Sequence, residues 1–129
     1  MQLSRDAIIA AAVDILDTYG LADMSMRRVA TSLKVAPGAL YWHIANKQQL
    51  ITAIAEEILA PVLADSAPDT PAALAELLRE SMLSRRDGAE LVAAALSQPE
   101  SETRGDVEKQ LAQTLPGDGD LRRIGAASL

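Results

Sequence analysis

The residues best suited to chemistry crowd into one window. Arg27, Arg28, Lys34 and Lys47 lie within residues 24–55, a stretch without a single Asp or Glu. The same window holds the one histidine of the chain, His43, and two of its three aromatic residues, the adjacent Tyr41 and Trp42. Cations unrelieved by carboxylates set up a local positive potential, which is what a phosphate backbone recognises. A merely solvated helical surface is the alternative, but such surfaces usually mix both signs and this window does not. Tyr41 and Trp42 can also be read as core residues. Neighbours on a helix diverge, however, so at least one of the two should face solvent.

The rest of the chain hides this window. Net charge is −6 over 129 residues, yet residues 1–50 carry five basic and four acidic side chains, while residues 51–129 carry seven and fourteen. Because screening limits electrostatic reach to ~8–10 Å, the local balance governs what the first fifty residues attract. Composition excludes other classes. With no cysteine there are no disulfides, thiolate zinc sites or cysteine nucleophiles, and with one histidine there is no multi-histidine metal site. No glycine-rich phosphate loop is present, and the carboxylates are scattered, so an enzyme is disfavoured and no cofactor or metal is expected. No apolar run approaches the ~20 residues of a membrane span, and the N-terminus is too polar for a signal peptide. The expectation is a cytoplasmic protein without a membrane partner. Its 24 alanines, absence of phenylalanine and hydrophobic content of 49% predict an all-α fold.

Helices must position the window. Ser4 can cap a first helix whose apolar residues Ile8, Ala12, Ile15 and Leu16 recur at helical spacing, with Gly20 ending it. Residues 21–24 read as a connector. Ser25 caps a short second helix through Leu33, residues 34–36 turn the chain, and Pro37 starts a third short helix that should run to about His43. Asn46 caps a fourth helix, with Gln49 placed for a capping box and Ile51, Ile54, Ile58, Leu59 and Val62 as its apolar stripe. Residues 65–71 form a linker. Thr70 and Pro71 open a further helix through Met82, which 85–88 break. Residues 90–97 make an apolar helix, 99–105 a loop, and Val107, Leu111 and Leu115 mark a last helix stopped at 116–119. At Arg85, Arg86 and Asp87 a functional charge cluster competes with ordinary helix-end chemistry, which is favoured. The apolar, uncapped stretch 124–129 predicts a truncated chain.

Two short helices joined by about three residues and flanked by longer ones form a helix-turn-helix. Here Ala30 is small where the helices meet, and Val35 and Leu40 bury the turn. The run Met26-Arg27-Arg28-Val29-Ala30 with Lys34-Val35-Ala36-Pro37-Gly38-Ala39-Leu40-Tyr41-Trp42-His43-Ile44-Ala45-Asn46-Lys47 resembles the DNA-binding domain of the TetR family, nearest its tetracycline-repressor branch. Arg86-Asp87-Gly88-Ala89, the proline at 99 and Val107-Glu108-Lys109-Gln110-Leu111 extend the similarity more loosely. The resemblance implies an N-terminal three-helix helix-turn-helix domain (1–46), a connecting helix (47–64) and a partial effector-binding and dimerisation domain (65–129).

It also implies roles. Arg27 matches an arginine that reads guanine, a bidentate contact that guanidinium geometry suits. Arg28 adds charge beside it, Tyr41 and His43 fall where the family contacts phosphates, and Trp42 where it packs on the backbone. Lys47 reinforces a helix N-terminus that already favours anions. Pro37, Gly38 and Ala39 replace polar base-reading side chains, so a different operator is expected, with close backbone approach at Gly38 and a methyl contact from Ala39. Lys34 stands where a glycine is usual. In the effector core, Leu63 and Val92 fall near positions where tetracycline repressors place magnesium-drug histidines, so an apolar effector held among Leu63, Leu78, Met82 and Val92 is expected. Gln110 matches a ligand-contacting glutamine, and a solvent-facing role is equally open to it. The function implied is a sequence-specific transcriptional regulator, a repressor released from double-stranded operator DNA by a small molecule. It would act as a homodimer through C-terminal helices missing here; the alternative is a helical protein-interaction module without DNA binding.

Overall fold

The helix starts are written in single polar side chains. In the computed structural model, which describes residues 2–115, five helices are capped by the residue before them. Ser4 Oγ accepts from the Ala7 N–H (3.1 Å) ahead of α1, Arg5–Tyr19. Ser25 Oγ accepts from Arg28 (3.1 Å) ahead of α2, Met26–Leu33. Asn46 Oδ1 accepts from Gln49 (2.8 Å) ahead of α4, Lys47–Ile58. Thr70 does the same for α6, Pro71–Leu83, and Ser101 for α8, Glu102–Gln113. Each bond satisfies a donor that the helix geometry leaves without a partner. The remaining helices are α3, Pro37–Leu40, α5, Ala60–Leu63, and α7, Gly88–Leu96. Among the described residues there is no strand, and the fold is all-α.

Several expectations need correction. The connector at 21–24 contains a 3-10 turn, Leu21–Asp23. As an α-helix α3 stops at Leu40 rather than near His43, although the turn continues through N–H bonds from His43 and Ile44 to the Leu40 carbonyl, both 2.9 Å. The Gln49 side chain accepts from Ala45 N–H (2.9 Å), one residue ahead of the cap that a capping box would serve. The connecting helix is not continuous to 64. Pro61 has no N–H for the Glu57 carbonyl and its ring crowds the preceding turn, so α4 ends at Ile58 and α5 restarts beyond Leu59. The loop expected at 99–105 is shorter, because Ser101 starts α8 and takes Gly105 into it. The stop at 116–119 and the apolar ending lie outside the described residues.

One hydrophobic core runs through the molecule. Ile8, Ala12 and Leu16 of α1, Val29 and Ala30 of α2, and Leu40 and Ile44 around α3 join Leu50, Ile54 and Ala55 of α4, and the same cluster continues into Leu91, Val92 and Ala95 of α7. Each buried leucine or isoleucine contributes ~1.5–3 kcal/mol of transfer free energy. Alanines at the contacts let the helix axes approach closely. Helix α4 packs against both α1 and α7, so the helix-turn-helix head and the C-terminal body share it.

The turn between α6 and α7 ties the body to the head a second time. Arg85 Nη1 reaches Asp17 Oδ2 at 2.7 Å, Arg86 Nη1 donates to the Thr18 carbonyl at 2.9 Å, and Asp87 Oδ2 accepts from the Leu21 N–H at 2.9 Å. The last turn of α1 has no basic residue of its own, so its carbonyl end and Asp17 draw their cations from 68 residues away. The expected helix-end chemistry at Arg85–Asp87 is therefore corrected to an interdomain clamp. Asp87 adopts φ 56° to aim its carboxylate, which packs on Gly20, itself at φ 93°. A Cβ on Gly88 would collide with the Met82 carbonyl oxygen, whereas one on Gly105 would meet open space. Urea unfolding should therefore separate two glycine substitutions: Gly88→Ala should destabilise by about 1–3 kcal/mol through overpacking, and Gly105→Ala should stabilise by ~0.5–1 kcal/mol through helix propensity.

Candidate nucleic-acid interface

Two buried residues decide which side chains of the third helix face out. Leu40 and Ile44, four residues apart, are 0% and 2% exposed and anchor the segment to the core. The three residues between them then point away. Trp42 is 89% exposed and Tyr41 52%, so neither is a core residue, and His43 is exposed beside them. Pro37 and Gly38 are exposed at the start of α3, and Ala39 is half-buried. A Cβ on Gly38 would meet nothing, which leaves its backbone open to close approach.

The first turn of helix α2 carries two arginines. Arg27 and Arg28 are both exposed, and with Ser25 and Thr31 they border a shallow hollow of about 350 Å³. Thr31 Oγ1 donates to the Arg27 carbonyl (3.0 Å), which turns its hydroxyl inward. Lys34 closes α2 in the left-handed region at φ 60°, ψ 40°, a conformation costing a non-glycine residue ~1–2 kcal/mol. Its backbone N–H and that of Val35 satisfy the carbonyls of Thr31 and Ala30. Lys47, exposed, is the first residue of α4. Among the described residues, no carboxylate pairs with Arg27, Arg28, Lys34 or Lys47.

One participant escaped sequence reasoning. The Arg28 guanidinium lies 4.5 Å from the centroid of the Tyr19 ring, a cation-π contact that ties the head of α2 to the end of α1. The available signal was that the third aromatic residue of the chain stands next to the helix-ending Gly20.

The residues expected to hold an effector differ in burial. Val92 is buried at 2%, while Leu63, Leu78 and Met82 are partly buried and pack against the core. Gln110 is half-buried rather than solvent-facing. Its Nε2 donates to the Ala64 carbonyl at 3.0 Å and so joins α8 to the end of α5. Among the described residues, no helix is long and apolar enough to cross a membrane.

Known proteins match this arrangement. Residues 8–54 fit the model for bacterial regulatory proteins of the tetR family. The tetracycline repressor protein class E of Escherichia coli is 39% identical over 97 residues, covering 70% of this chain and 46% of that protein. An HTH-type transcriptional regulator of Saccharopolyspora erythraea is 33% identical over 135 residues, 97% of this chain and 56% of that one. The chain spans about half the length of the curated relatives it matches. Among solved structures, BioQ with its natural double-stranded DNA operator superposes with a TM-score of 0.79 at 37% identity, over 98% of this chain and 82% of that one. BioQ of Mycobacterium smegmatis gives the same TM-score at 42% identity, over 88% and 65%.

The exposure of Trp42 is directly measurable, since it is the only tryptophan. Acrylamide should quench the fluorescence of the folded chain with nearly the efficiency seen for free tryptophan. A strongly protected signal would place Trp42 in the core and overturn the geometry given for residues 41–43.

Proposed function

The chain belongs to the TetR family of bacterial regulators, and from that premise we propose that it is a sequence-specific DNA-binding transcriptional regulator, a repressor released from a palindromic operator by a small, mostly apolar ligand. The observation that carries this reading is that Arg27, Arg28, Tyr41, Trp42, His43 and Lys47 are all exposed on a helix-turn-helix, within a stretch that holds no Asp or Glu. The BioQ structure, which contains that protein's own operator, supports it.

Each side chain then has a task that its chemistry suits. Arg27 reads a guanine through O6 and N7, and Arg28 meets phosphate from the position Tyr19 gives it. Pro37 and Gly38 bring the start of α3 close to the groove floor, where the methyl of Ala39 touches a thymine methyl. Tyr41 and His43 bond phosphates, Trp42 packs on the sugar-phosphate backbone, and Lys47 adds a cation to the anion-favouring start of α4. In this division residues 1–46 read DNA, 47–64 connect, and the residues from 65 onward hold the effector and the dimer contacts. The effector lies among Leu63, Leu78, Met82 and Val92, with Gln110 as the polar contact once it leaves Ala64. A magnesium-drug complex is a poor candidate, since the sole histidine sits beside α3.

Release follows from shared parts. An effector that favours one packing of the body moves α4, with the break at residues 59–61 as the hinge, and the Arg85–Asp87 clamp carries the same motion to the end of α1. Two heads must stay about one helical turn apart, ~34–36 Å, to hold both half-sites, so a modest change in spacing abolishes binding.

Selection from randomised duplex DNA at low salt tests the proposal. The chain should enrich a specific sequence, as an inverted repeat when dimeric and as a half-site when not. Arg27→Ala should cost ~1–3 kcal/mol and relax preference at one base pair. Lys47→Ala should weaken all sequences alike and lower the salt slope by about 1. Weak, salt-insensitive retention without enrichment would replace this reading with that of a protein-interaction module.

A further inference from the structure

Left-handed backbone is costly for any residue with a Cβ, and among the described residues two non-glycines adopt it, Lys34 at φ 60° and Asp87 at φ 56°. Asp87 has a reason inside the chain, because its carboxylate accepts from the Leu21 N–H at 2.9 Å. Lys34 has none. It is exposed, and no side-chain hydrogen bond or ion pair among the described residues involves its ammonium group.

The backbone at Lys34 ends α2 without help from the side chain. Its N–H donates to the Thr31 carbonyl at 3.1 Å, and the Val35 N–H donates to the Ala30 carbonyl at 3.0 Å. Glycine would make the same two bonds without the strain. A cation at the carbonyl end of a helix is favourable, but by less than the left-handed conformation costs. Lysine therefore stands here at a net loss of stability, and strain held in place this way points to a task for the side chain.

Position says which task. Arg27, Thr31 and Lys34 follow one another at spacings of four and three residues, which aligns them along one flank of α2. The adjoining stripe of Met26, Val29, Ala30 and Leu33 packs into the core. Arg27 and Thr31 border one hollow, and Lys34 stands three residues ahead of Pro37, where α3 starts. Lysine carries a compact charge on a flexible stem, which suits phosphate oxygens better than a base edge. Pro37, Gly38 and Ala39 have no side-chain donor, so the approach of α3 has to be fixed from beside it.

We propose that Lys34 is a phosphate-binding residue that sets the entry of α3 into the groove, the left-handed turn presenting its ammonium group to the DNA backbone. This rests on the DNA-reading role proposed above and adds to it a contact that the strained turn supplies.

Thermal melts, and titrations of the full chain with its selected DNA over a range of salt, test this through three variants. Lys34→Gly should melt a few degrees higher than the wild type. It should nevertheless bind about eightfold more weakly near ~0.1 M salt and lower the salt slope by about 1, alike on every sequence. Lys34→Gln keeps the Cβ and loses the charge, so it should show the same binding loss without the gain in melting temperature. Lys34→Arg should bind like the wild type. Undiminished affinity and slope in the glycine or glutamine variant, or a melting temperature that falls in Lys34→Gly, would make Lys34 a helix end only and overturn the proposal. A wild-type chain without steep salt dependence would overturn the DNA-reading role itself, and this proposal with it.

Discussion

Helix α4 has to serve two neighbours at once, and the rest of the molecule is arranged around that constraint. Leu50, Ile51, Ala53, Ile54, Ala55 and Ile58 are all buried, which is more than one face of a twelve-residue helix can present to a single partner. They belong to one core cluster that includes residues of the head and of α7, and α4 contacts both α1 and α7. Neither contact can be remodelled without the other, because close-packed interiors change by discrete repacking rather than by gradual deformation. Small residues make the double contact possible. Ala12 and Ala55 are fully buried and Ala95 nearly so.

A helix held on two sides still pivots unless its neighbours are fixed, and the Arg85–Asp87 clamp supplies that restraint. Its ion pair is about 40% exposed, so the charge–charge attraction itself contributes little. Geometry does more of the work. Asp87 in a left-handed conformation, Gly20 beneath its carboxylate and Gly88 against the Met82 carbonyl fit only one mutual placement of α1 and the α6–α7 turn. The clamp therefore specifies orientation more than it adds stability.

What was legible in the sequence and what was not divide by the range of the interaction. Ser4, Ser25, Asn46 and Thr70 mark helix starts because a cap bonds to a residue three positions away, and the sequence contains both partners side by side. The exposure of residues 41–43 was half legible: helical divergence placed one aromatic outside, but only the burial of Leu40 and Ile44 puts both there. The break before Pro61 has a local cause, the missing N–H of proline, which the unbroken apolar stripe through Val62 masks. The clamp, the Gln110–Ala64 bond and the Thr103–Glu56 bond join residues 46 or more positions apart, and nothing in a local pattern announces them. Arg85, Arg86 and Asp87 look like a helix terminus until the end of α1 is seen beside them.

Charge follows the same logic of range. The chain's net charge of −6 comes from residues 51–129, with seven basic and fourteen acidic side chains, while residues 24–55 carry no Asp or Glu, and with screening over ~8–10 Å that local balance is the one a phosphate would meet on the proposed reading. On the proposed reading, discrimination by this head cannot rest on the start of α3, since Pro37, Gly38 and Ala39 offer no side-chain donor or acceptor. Base reading then concentrates on Arg27, and the remaining selectivity must come from how closely the α3 backbone fits the groove, with Tyr41, Trp42, His43 and Lys47 fixing that approach from the phosphate side. Because placement replaces side-chain contacts as the source of specificity, small rotations of the head cost more here than in a reader with long polar side chains. That sensitivity is what makes a doubly packed α4 and a geometrically exacting clamp a coherent pair: the less the recognition helix can reach, the more accurately the body must hold it.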